Sequence, residues 1–467
     1  MQSKDADTQA TGSILERRLG PIDAAAIIVA NVIGGGILFT PPQVAAAVPN
    51  AWLFLLTWLF GGLLAFVGAM AYAELAALRP RAGGEYVYLR EAYGPLAGFL
   101  TGWTSFVAGF SGAIATSAVI FASYLGRFIP FAGNTDPFVS LVLIPGVFSV
   151  SVSPQVIVSI TLVIGMAWIH IRGVGPGRLV GNLLAALKVS SFIIFIALGF
   201  SFGLGNIEHF TATAPVRPVN WLAALIPVMF TYSGWNAAAY VAEEIRDPGR
   251  NVPRALALGT GAVIAIYLAL NALYIYVVPI EQLATVDVSI LDFIADRMLG
   301  SAAGNVMAVI ALISLAASIS AMTFAGPRVY FAMARDKVFV RSASRVHSRY
   351  RTPAIAIIAQ AVWSSFLIMS AQADTLVNYT GFSIVLFSAI AVTAVFVLRA
   401  REPKAERPFL ALGHPFLTAL YVLVSILILL NGLINNPGPT GAGVLVILMG
   451  VPLYFLFRRT RPAGSTD

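Results

Sequence analysis

Residues 24–73 read AAAIIVANVIGGGILFTPPQVAAAVPNAWLFLLTWLFGGLLAFVGAMAYA, a run of 50 residues without Asp, Glu, Lys or Arg. A second run of 50, between Arg407 and Arg458, is equally free of them. Because a bilayer-spanning helix needs about 20 apolar residues, each run predicts two spans joined by a short turn. The two runs therefore indicate a polytopic membrane protein built from α-helices.

The composition of the 467-residue chain excludes several other classes of protein. It is 58% apolar and 11% charged, whereas an average soluble domain is about 25% charged. Its apolar segments are continuous rather than alternating over about ten residues, which argues against an outer-membrane barrel. The chain has no Cys, so a disulfide, an iron–sulfur cluster and a thiolate metal site are excluded.

The apolar pattern predicts an all-α membrane protein with twelve transmembrane helices. They are expected near residues 21–44, 51–78, 95–126, 155–171, 180–203, 219–243, 255–279, 300–326, 353–372, 376–398, 412–434 and 441–457. Of the 29 Lys and Arg, one (Lys188) falls inside span 5 and three (Arg127, Arg217 and Arg297) fall on one side; the rest lie on the other side. This bias predicts that both termini are cytoplasmic. The positive net charge is thus interpreted as a topology signal, and no nucleic-acid binding is expected.

Two predicted spans contain residues that interrupt helices. Gly34, Gly35 and Gly36 lie in the middle of span 1, where each Gly costs about 1 kcal/mol relative to Ala. Residues 231–236, TYSGWN, lie at a comparable depth in span 6. Unwound backbone in a membrane is tolerated where it lines a cavity, and matching interruptions point to a transporter's binding site. The alternative is that these glycines only allow close helix packing.

Two broken helices would offer a site for a zwitterion. A half-helix beginning at Gly35 to Ile37 presents free backbone N–H groups, which suit a carboxylate. Carbonyl groups at the ends of the preceding segments, near Val32 and near 230–233, suit an ammonium group. Glycine lets a ligand approach the backbone closely. The candidate substrate-binding residues are Val32, Ile33, Gly34, Gly35, Gly36, Ile37, Phe230, Thr231, Ser233, Gly234 and Trp235.

The aromatic residues of the second interruption are ambiguous. Phe230 and Trp235 are candidate gates that close over the ligand, or they are packing residues, as most aromatic side chains in membrane helices are. Small residues of spans 3 and 8 are further candidates for the pocket lining: Ser105, Gly109, Ser111 and Ser318.

Lys188 is a candidate coupling or structural cation. It lies about 15 Å into the bilayer, at 1.5 Å per residue from Arg178, and an intramembrane lysine costs at least about 2.5 kcal/mol. One role is a fixed ammonium that binds carbonyls of spans 1 and 8; the other is a proton carrier. Either way its charge would repel a sodium ion at a neighbouring site.

No carboxylate or histidine is expected at mid-membrane depth. Asp23, Glu74, Glu243 and Glu244 fall near cytoplasmic ends of spans. A neutral ligand is therefore predicted, with no metal site and no cofactor. An enzyme is not expected, because no span holds a nucleophile with its base or paired carboxylates.

Several motifs together resemble the amino acid-polyamine-organocation superfamily, most closely its L-amino acid transporter-like branch. Residues 31–41 (NVIGGGILFTP) and 234–254 (GWNAAAYVAEEIRDPGRNVPR) carry most of the resemblance. Further matches are Tyr72-Ala73-Glu74-Leu75, Pro80, Gly83-Gly84-Glu85-Tyr86, Met333-Ala334-Arg335-Asp336 and Asn378-Tyr379.

The resemblance implies a leucine-transporter-like fold with broken helices 1 and 6. The expected division is a cytoplasmic tail at 1–19, one transmembrane domain at 20–458 and a cytoplasmic tail at 459–467. Within the domain, two inverted repeats span about 20–205 and 218–400, and two extra helices lie at about 411–458. It also implies that carbonyls of Val32, Phe230 and Ser233 take the amino group and that Lys188 replaces a sodium ion.

Two residues depart from the family pattern. Gly35 stands where Ser or Thr is common, so a hydroxyl contact is lost, and Ser233 stands where close relatives tend to have Gly. Eukaryotic members pair with a glycoprotein through a Cys, which this chain lacks.

The resulting hypothesis is a secondary transporter of neutral L-amino acids in a bacterial cytoplasmic membrane, working by exchange or by uptake without sodium. Its partners are an amino acid substrate and the lipid bilayer, with no disulfide-linked heavy chain; the oligomeric state is undetermined. The alternatives are a proton-coupled symporter that uses Lys188 and, less favoured, a membrane amino acid sensor.

Overall fold

A computed structural model describes residues 15–144, 148–201, 205–287, 289–300, 303–370, 373–435 and 437–459. Residues 1–14 of the predicted N-terminal tail and residues 460–467 of the C-terminal tail lie outside the described residues. The described chain is predominantly helical, as the hydropathy pattern predicts.

The first half of the chain contains one bent helix pair and four long helical segments. The helices are α1 (Pro21–Val32), α2 (Gly36–Ala47), α3 (Ala51–Leu78), α4 (Glu85–Tyr93), α5 (Pro95–Thr104), α6 (Phe110–Leu125), α7 (Pro130–Gly133), α8 (Pro154–Ile171) and α9 (Val174–Ser201). A π-helical turn, Ser105–Gly109, joins α5 to α6 into one continuous span.

The second half has a similar alternation of long and short helices. They are α10 (Pro218–Thr231), α11 (Ala237–Tyr240), α12 (Pro248–Val277), α13 (Ile280–Leu283), α14 (Ile290–Leu299), α15 (Ala303–Arg335), α16 (Ala354–Met369), α17 (Ala373–Arg401), α18 (Phe416–Asn435) and α19 (Pro437–Arg459). Short 3₁₀ turns lie at Ile207–Thr211, Ala242–Glu244 and Arg341–Ser344.

Nine helices of the described part are long and apolar enough to cross a membrane, and a tenth crossing results if α1 and α2 are one bent span. α10 and α16 are apolar but shorter, with 14 and 16 residues. These lengths agree with a polytopic helical membrane protein.

A two-stranded hairpin departs from the all-α prediction. Strands β1 (Val139–Ile144) and β2 (Phe148–Val152) pair antiparallel between α7 and α8. Serines alternate with apolar residues in β2, FSVSV, and this period of two is typical of a strand, whereas β1, VSLVLI, is almost entirely apolar. The hairpin lies in a connection that hydropathy alone treats as a loop.

The packing places α1 at the centre of the molecule. α1 and α3 both pack against α12, and α1 also contacts α9 and α15. Trp58 of α3 is fully buried against the rings of Tyr232 and Tyr267, with ring centroids 6.2 and 5.9 Å away. Elsewhere α6 packs along α15. The gap between α1–α3 and α6 contains the candidate site.

Candidate substrate site at two broken helices

A cavity of about 710 Å³ lies where the two interrupted helices meet, a volume within the range of about 300–1,000 Å³ that small-molecule sites occupy. Its wall includes backbone of the first interruption, the end of α10 and small residues of α5, α6 and α15. Phe39 and Gln43, which are exposed, lie on the same wall. The cavity therefore reaches from the interruptions toward the end of the molecule at which α2 lies.

The first interruption separates α1 from α2, whose axes differ in direction by 54°. Among the described residues, none accepts a hydrogen bond from the backbone N–H groups of Gly34, Gly35 or Gly36. Helix starts leave such donors free for a ligand. A Cβ on Gly36 would lie 3.0 Å from Thr231 Oγ1, so glycine is needed for the close approach of α2 to α10. A Cβ on Gly35 would lie 3.9 Å from the nearest side-chain atom, and Gly35 lines the cavity.

The second interruption is a turn between α10 and α11. Gly234 has a positive φ of 96°, and a Cβ there would lie 2.5 Å from Asn31 Nδ2. Asn31 Nδ2 donates to Gly234 O over 3.2 Å. A side chain of α1 thus connects the two interruptions, and a glycine at 234 permits both the turn and the contact.

Tyr267 of α12 contacts the C-terminal ends of α1 and α10, the two helices that precede the interruptions. Its hydroxyl lies 3.0 Å from Val32 O and 3.2 Å from Thr231 O, and its single proton is shared between these acceptors. Phe230 O accepts a hydrogen bond from the Ser233 N–H over 2.9 Å. Sequence reasoning missed Tyr267, because a tyrosine within an apolar helix reads as packing; its spacing to the interruptions is visible only in three dimensions.

Lys188 of α9 is fully buried behind the first interruption. Its ammonium donates to Ala30 O over 2.9 Å, to Ser318 Oγ over 3.0 Å, and to Ile33 O. All three ammonium protons therefore have acceptors. This geometry is that of a fixed cation that holds the end of α1 against α15. It corresponds to the structural role, the first of the two roles predicted for this lysine.

The structure separates the candidate residues into two groups. Eight lie on the cavity wall: Val32, Gly34, Gly35, Gly36, Phe230, Thr231, Ser233 and Gly234. Ile33, Ile37 and Trp235 do not line it. Of the small residues expected in the lining, Ser105, Gly109 and Ser318 are on the wall, whereas Ser111 is buried away from it.

Trp235 is a packing residue in this structure rather than a gate. Its ring lies 4.8 Å from the ring of Tyr72 and 6.4 Å from that of Tyr421, both at nearly perpendicular angles. A Cβ on Gly68 of α3 would lie 2.8 Å from the Trp235 ring. The indole is thus enclosed between α3 and α18 and points away from the cavity, which Phe230 alone of the two aromatic candidates reaches.

The expectation that the pocket has no carboxylate is wrong. Glu85 lines the cavity and is 7% exposed. The predicted spans at 51–78 and 95–126 leave Glu85 in the polar loop between them. Gly83 and Gly84 both have positive φ, 114° and 50°, and this turn directs α4 back into the molecule. Glu85, at the first residue of α4, is thereby carried into the interior.

Comparisons with known proteins agree with these observations. A profile of the amino acid permease family matches residues 19–457. The serine/threonine exchanger of Bacillus subtilis is 28% identical over 452 residues, which cover 96% of this chain and 98% of that protein. The human large neutral amino acids transporter small subunit 2 is 28% identical over 467 residues, covering 97% and 83%. The mouse Asc-type amino acid transporter 1 is 27% identical over 463 residues, covering 96% and 83%.

Proposed function

Because this chain belongs to the amino acid permease family, and its relatives in sequence are transporters and not enzymes, we propose that it is a secondary transporter of neutral L-amino acids. It works by alternating access and does not use sodium. The observation that carries the proposal is the pair of helix interruptions facing one cavity, with free backbone donors on one side and carbonyl groups on the other.

The α-carboxylate of the substrate binds the backbone N–H groups of Gly34, Gly35 and Gly36. They are free among the described residues and stand at the positive end of α2, where an anion is stabilised. The α-ammonium group binds the carbonyls of Val32, Phe230 and Ser233. Tyr267 uses one lone pair of the Val32 carbonyl, and a carbonyl oxygen has two.

The substrate side chain lies toward small residues of the wall, Ser105, Gly109 and Ser318. The cavity holds a carboxylate at Glu85, so the neutral side chain is proposed from the relatives in sequence instead. These are named a serine/threonine exchanger and a large neutral amino acids transporter.

Transport follows from movement of the broken spans against a scaffold. Twelve spans in two inverted repeats of five, plus two more helices, are proposed, with spans 1 and 6 rocking against spans 3, 4, 8 and 9. The end of the molecule opposite the cavity mouth is closed in this structure by a buried ion pair, Arg328 Nε to Glu244 Oε1 at 2.7 Å. Glu244 O also accepts the N–H groups of Arg18 and Leu19, and opening this end would require these contacts to break.

The Lys188 ammonium supports transport without sodium. It occupies the oxygens of Ala30, Ile33 and Ser318, which are the kind of hard ligand that a small cation would need. A second cation beside it would meet strong repulsion in a low-dielectric site.

We propose that the protein lies in a bacterial cytoplasmic membrane with both termini in the cytoplasm; the distribution of Lys and Arg supports the orientation. Without Cys it cannot form a disulfide to a partner subunit, so it is proposed to work without a disulfide-linked heavy chain.

Counterflow in proteoliposomes tests the proposal. Vesicles loaded with one unlabelled amino acid should accumulate the labelled form at equal rates in sodium and choline buffers. The free amino acid should compete, whereas its methyl ester and its N-acetyl derivative should not, because each lacks one of the two charges. Lack of counterflow across all neutral amino acids, or equal competition by the ester, would contradict it.

A further inference from the structure

Glu85 forms a second polar site in the cavity, and the backbone site for the amino acid does not use it. Its Oε1 accepts hydrogen bonds from Tyr72 OH over 2.5 Å and from Asn236 Nδ2 over 2.6 Å. Among the described residues, the closest side-chain donor to its Oε2 is Thr101 Oγ1 at 3.5 Å, which is beyond the usual hydrogen-bond distance, and the hydroxyl of Tyr240 is a further donor beside the carboxylate. One carboxylate oxygen is therefore well partnered and the other is more weakly partnered.

The groups around Glu85 are polar but uncharged. Tyrosines face it from α3, from its own helix, from α11 and from α18: Tyr72, Tyr88, Tyr240 and Tyr421. Within the described part of the chain no Lys, Arg or His forms an ion pair with it. The charged residues of α4 are Arg90 and Glu91 at its other end, and they pair with Asp336 and Arg79.

The hydrogen-bond partners of Glu85 lie on different spans of the proposed transporter. Asn236 follows the second interruption and moves with span 6, and Tyr72 lies on α3, which packs against α12. Glu85 itself is on α4, which packs against α5 of span 3, where Thr101 lies. Rocking of span 6 against span 3 would therefore pull the amide donor away from Glu85.

A buried carboxylate that loses one of its two close donors is destabilised as an anion, and binding a proton removes the charge. We propose that Glu85 is a proton-binding site of the transport cycle: it is an anion while Asn236 and Tyr72 donate to it and binds a proton when span 6 moves away. This inference rests on the proposed transport function and assigns the proton to Glu85 rather than to Lys188, whose three protons are all engaged.

The test uses the full chain in proteoliposomes and in detergent. Wild-type counterflow of L-serine, L-threonine and L-leucine is measured from about pH 5 to about pH 8, across the range in which a perturbed carboxyl group titrates. Glu85→Gln keeps the shape and an acceptor oxygen but cannot titrate. We expect wild-type counterflow to vary with pH, and the Glu85→Gln protein to retain counterflow with a flat pH profile. Glu281→Gln, an exposed carboxylate removed in the same way, should keep the wild-type profile.

A pH-indicator dye in weakly buffered detergent solution gives a second readout. Addition of a transported amino acid should change proton binding by wild type and not by Glu85→Gln. An unchanged pH profile and proton signal in Glu85→Gln would overturn the proposal, as would a pH-independent wild type. Absence of wild-type counterflow would instead overturn the proposed function.

Tyr72→Phe keeps the proposal testable if Glu85→Gln does not fold. This change removes one donor to Oε1 and keeps the ring that packs on Trp235. Losing a hydrogen bond to a carboxylate should move the midpoint of the pH profile upward by about one pH unit. A midpoint that stays in place would contradict the assignment to Glu85.

Discussion

Replacing Lys188 with Met removes a buried positive charge and keeps most of the side-chain volume. In the wild type the ammonium binds the carbonyls of Ala30 and Ile33 at the end of α1. These bonds stabilise the end of the half-helix directly before the first interruption. Lys188→Met should therefore weaken the broken geometry of span 1 without leaving a large hole.

The size of the expected loss of transport follows from the hydrogen bonds that Lys188 donates. A hydrogen bond from a charged donor contributes about 1.5–3 kcal/mol, so the two carbonyl contacts at the lower value total about 3 kcal/mol. That free energy corresponds to a loss of about a hundredfold in the transport-competent geometry. Global unfolding should change little, because the single hydroxyl proton of Ser318, whose Oγ lies 2.9 and 3.1 Å from the two carbonyls, still goes to one of them, and an apolar replacement of similar volume is often neutral.

Counterflow at equal pH on both sides and thermal unfolding of the same preparation measure the two effects. The expected result is a loss of counterflow of about two orders of magnitude with a nearly unchanged unfolding temperature. Leu187→Met, on the adjacent outward-facing side chain, should transport normally. Wild-type counterflow by Lys188→Met, with loss only of a response to a pH gradient, would refute the structural role and support proton transfer by Lys188.

Substitutions at three further positions test other contacts. Tyr267→Phe removes the hydroxyl shared by the two half-helix ends and should destabilise the protein by about 1–3 kcal/mol and raise the KM of counterflow. Gly35→Thr and Gly35→Val have the same shape, so the hydroxyl of Thr, facing the cavity, should give a KM lower than Val by about 2- to 13-fold, the equivalent of one hydrogen bond. Glu244→Gln leaves Arg328 buried without its partner, and should lower the free energy of unfolding by about 3–5 kcal/mol, measured by chemical or thermal unfolding.

Each of these expected effects can be checked against a control variant or contradicted by a stated outcome. Tyr274 lies on the same helix as Tyr267, is equally buried, and its hydroxyl has no partner among the described residues, so Tyr274→Phe should be neutral. Equal destabilisation by the two Tyr→Phe changes would contradict the role of Tyr267. Equal KM values for the Thr and Val variants would exclude a ligand at Gly35. Glu16→Gln, which breaks an exposed pair, should change stability by less than about 1 kcal/mol.

The membrane architecture could be predicted from the sequence, because each span is determined by the residues within it. Runs without charged residues mark spans, and glycines in the middle of span 1 mark the place where α1 ends and α2 begins. The family resemblance drawn from the motifs is confirmed by the family match over residues 19–457. Counting residues from Arg178 predicts that Lys188 lies deep in the membrane, and its side chain is fully buried. Its two carbonyl acceptors on α1 fit one of the two predicted roles, whereas its acceptor on α15 is the Ser318 hydroxyl and not a carbonyl.

The positions of Tyr267, Glu85 and Trp235 relative to the site could not be predicted, because they depend on distances between segments that lie far apart in the chain. Tyr267 lies 235 residues from Val32 along the chain, and no local pattern reports that contact. Glu85 was misplaced because a polar segment between spans reads as a surface loop, whereas the turn at Gly83 and Gly84 sends it inward. Trp235 was ambiguous in sequence because packing and gating aromatic residues have the same composition.

A cryo-electron microscopy map of the protein with a transported amino acid tests the backbone site most directly. We expect the α-carboxylate within hydrogen-bond distance, about 2.7–3.2 Å, of N–H groups at Gly34 to Gly36, and the α-ammonium facing carbonyls of Val32, Phe230 and Ser233. An amino acid bound with its carboxylate elsewhere in the cavity, or with both interruptions closed into continuous helices, would contradict it.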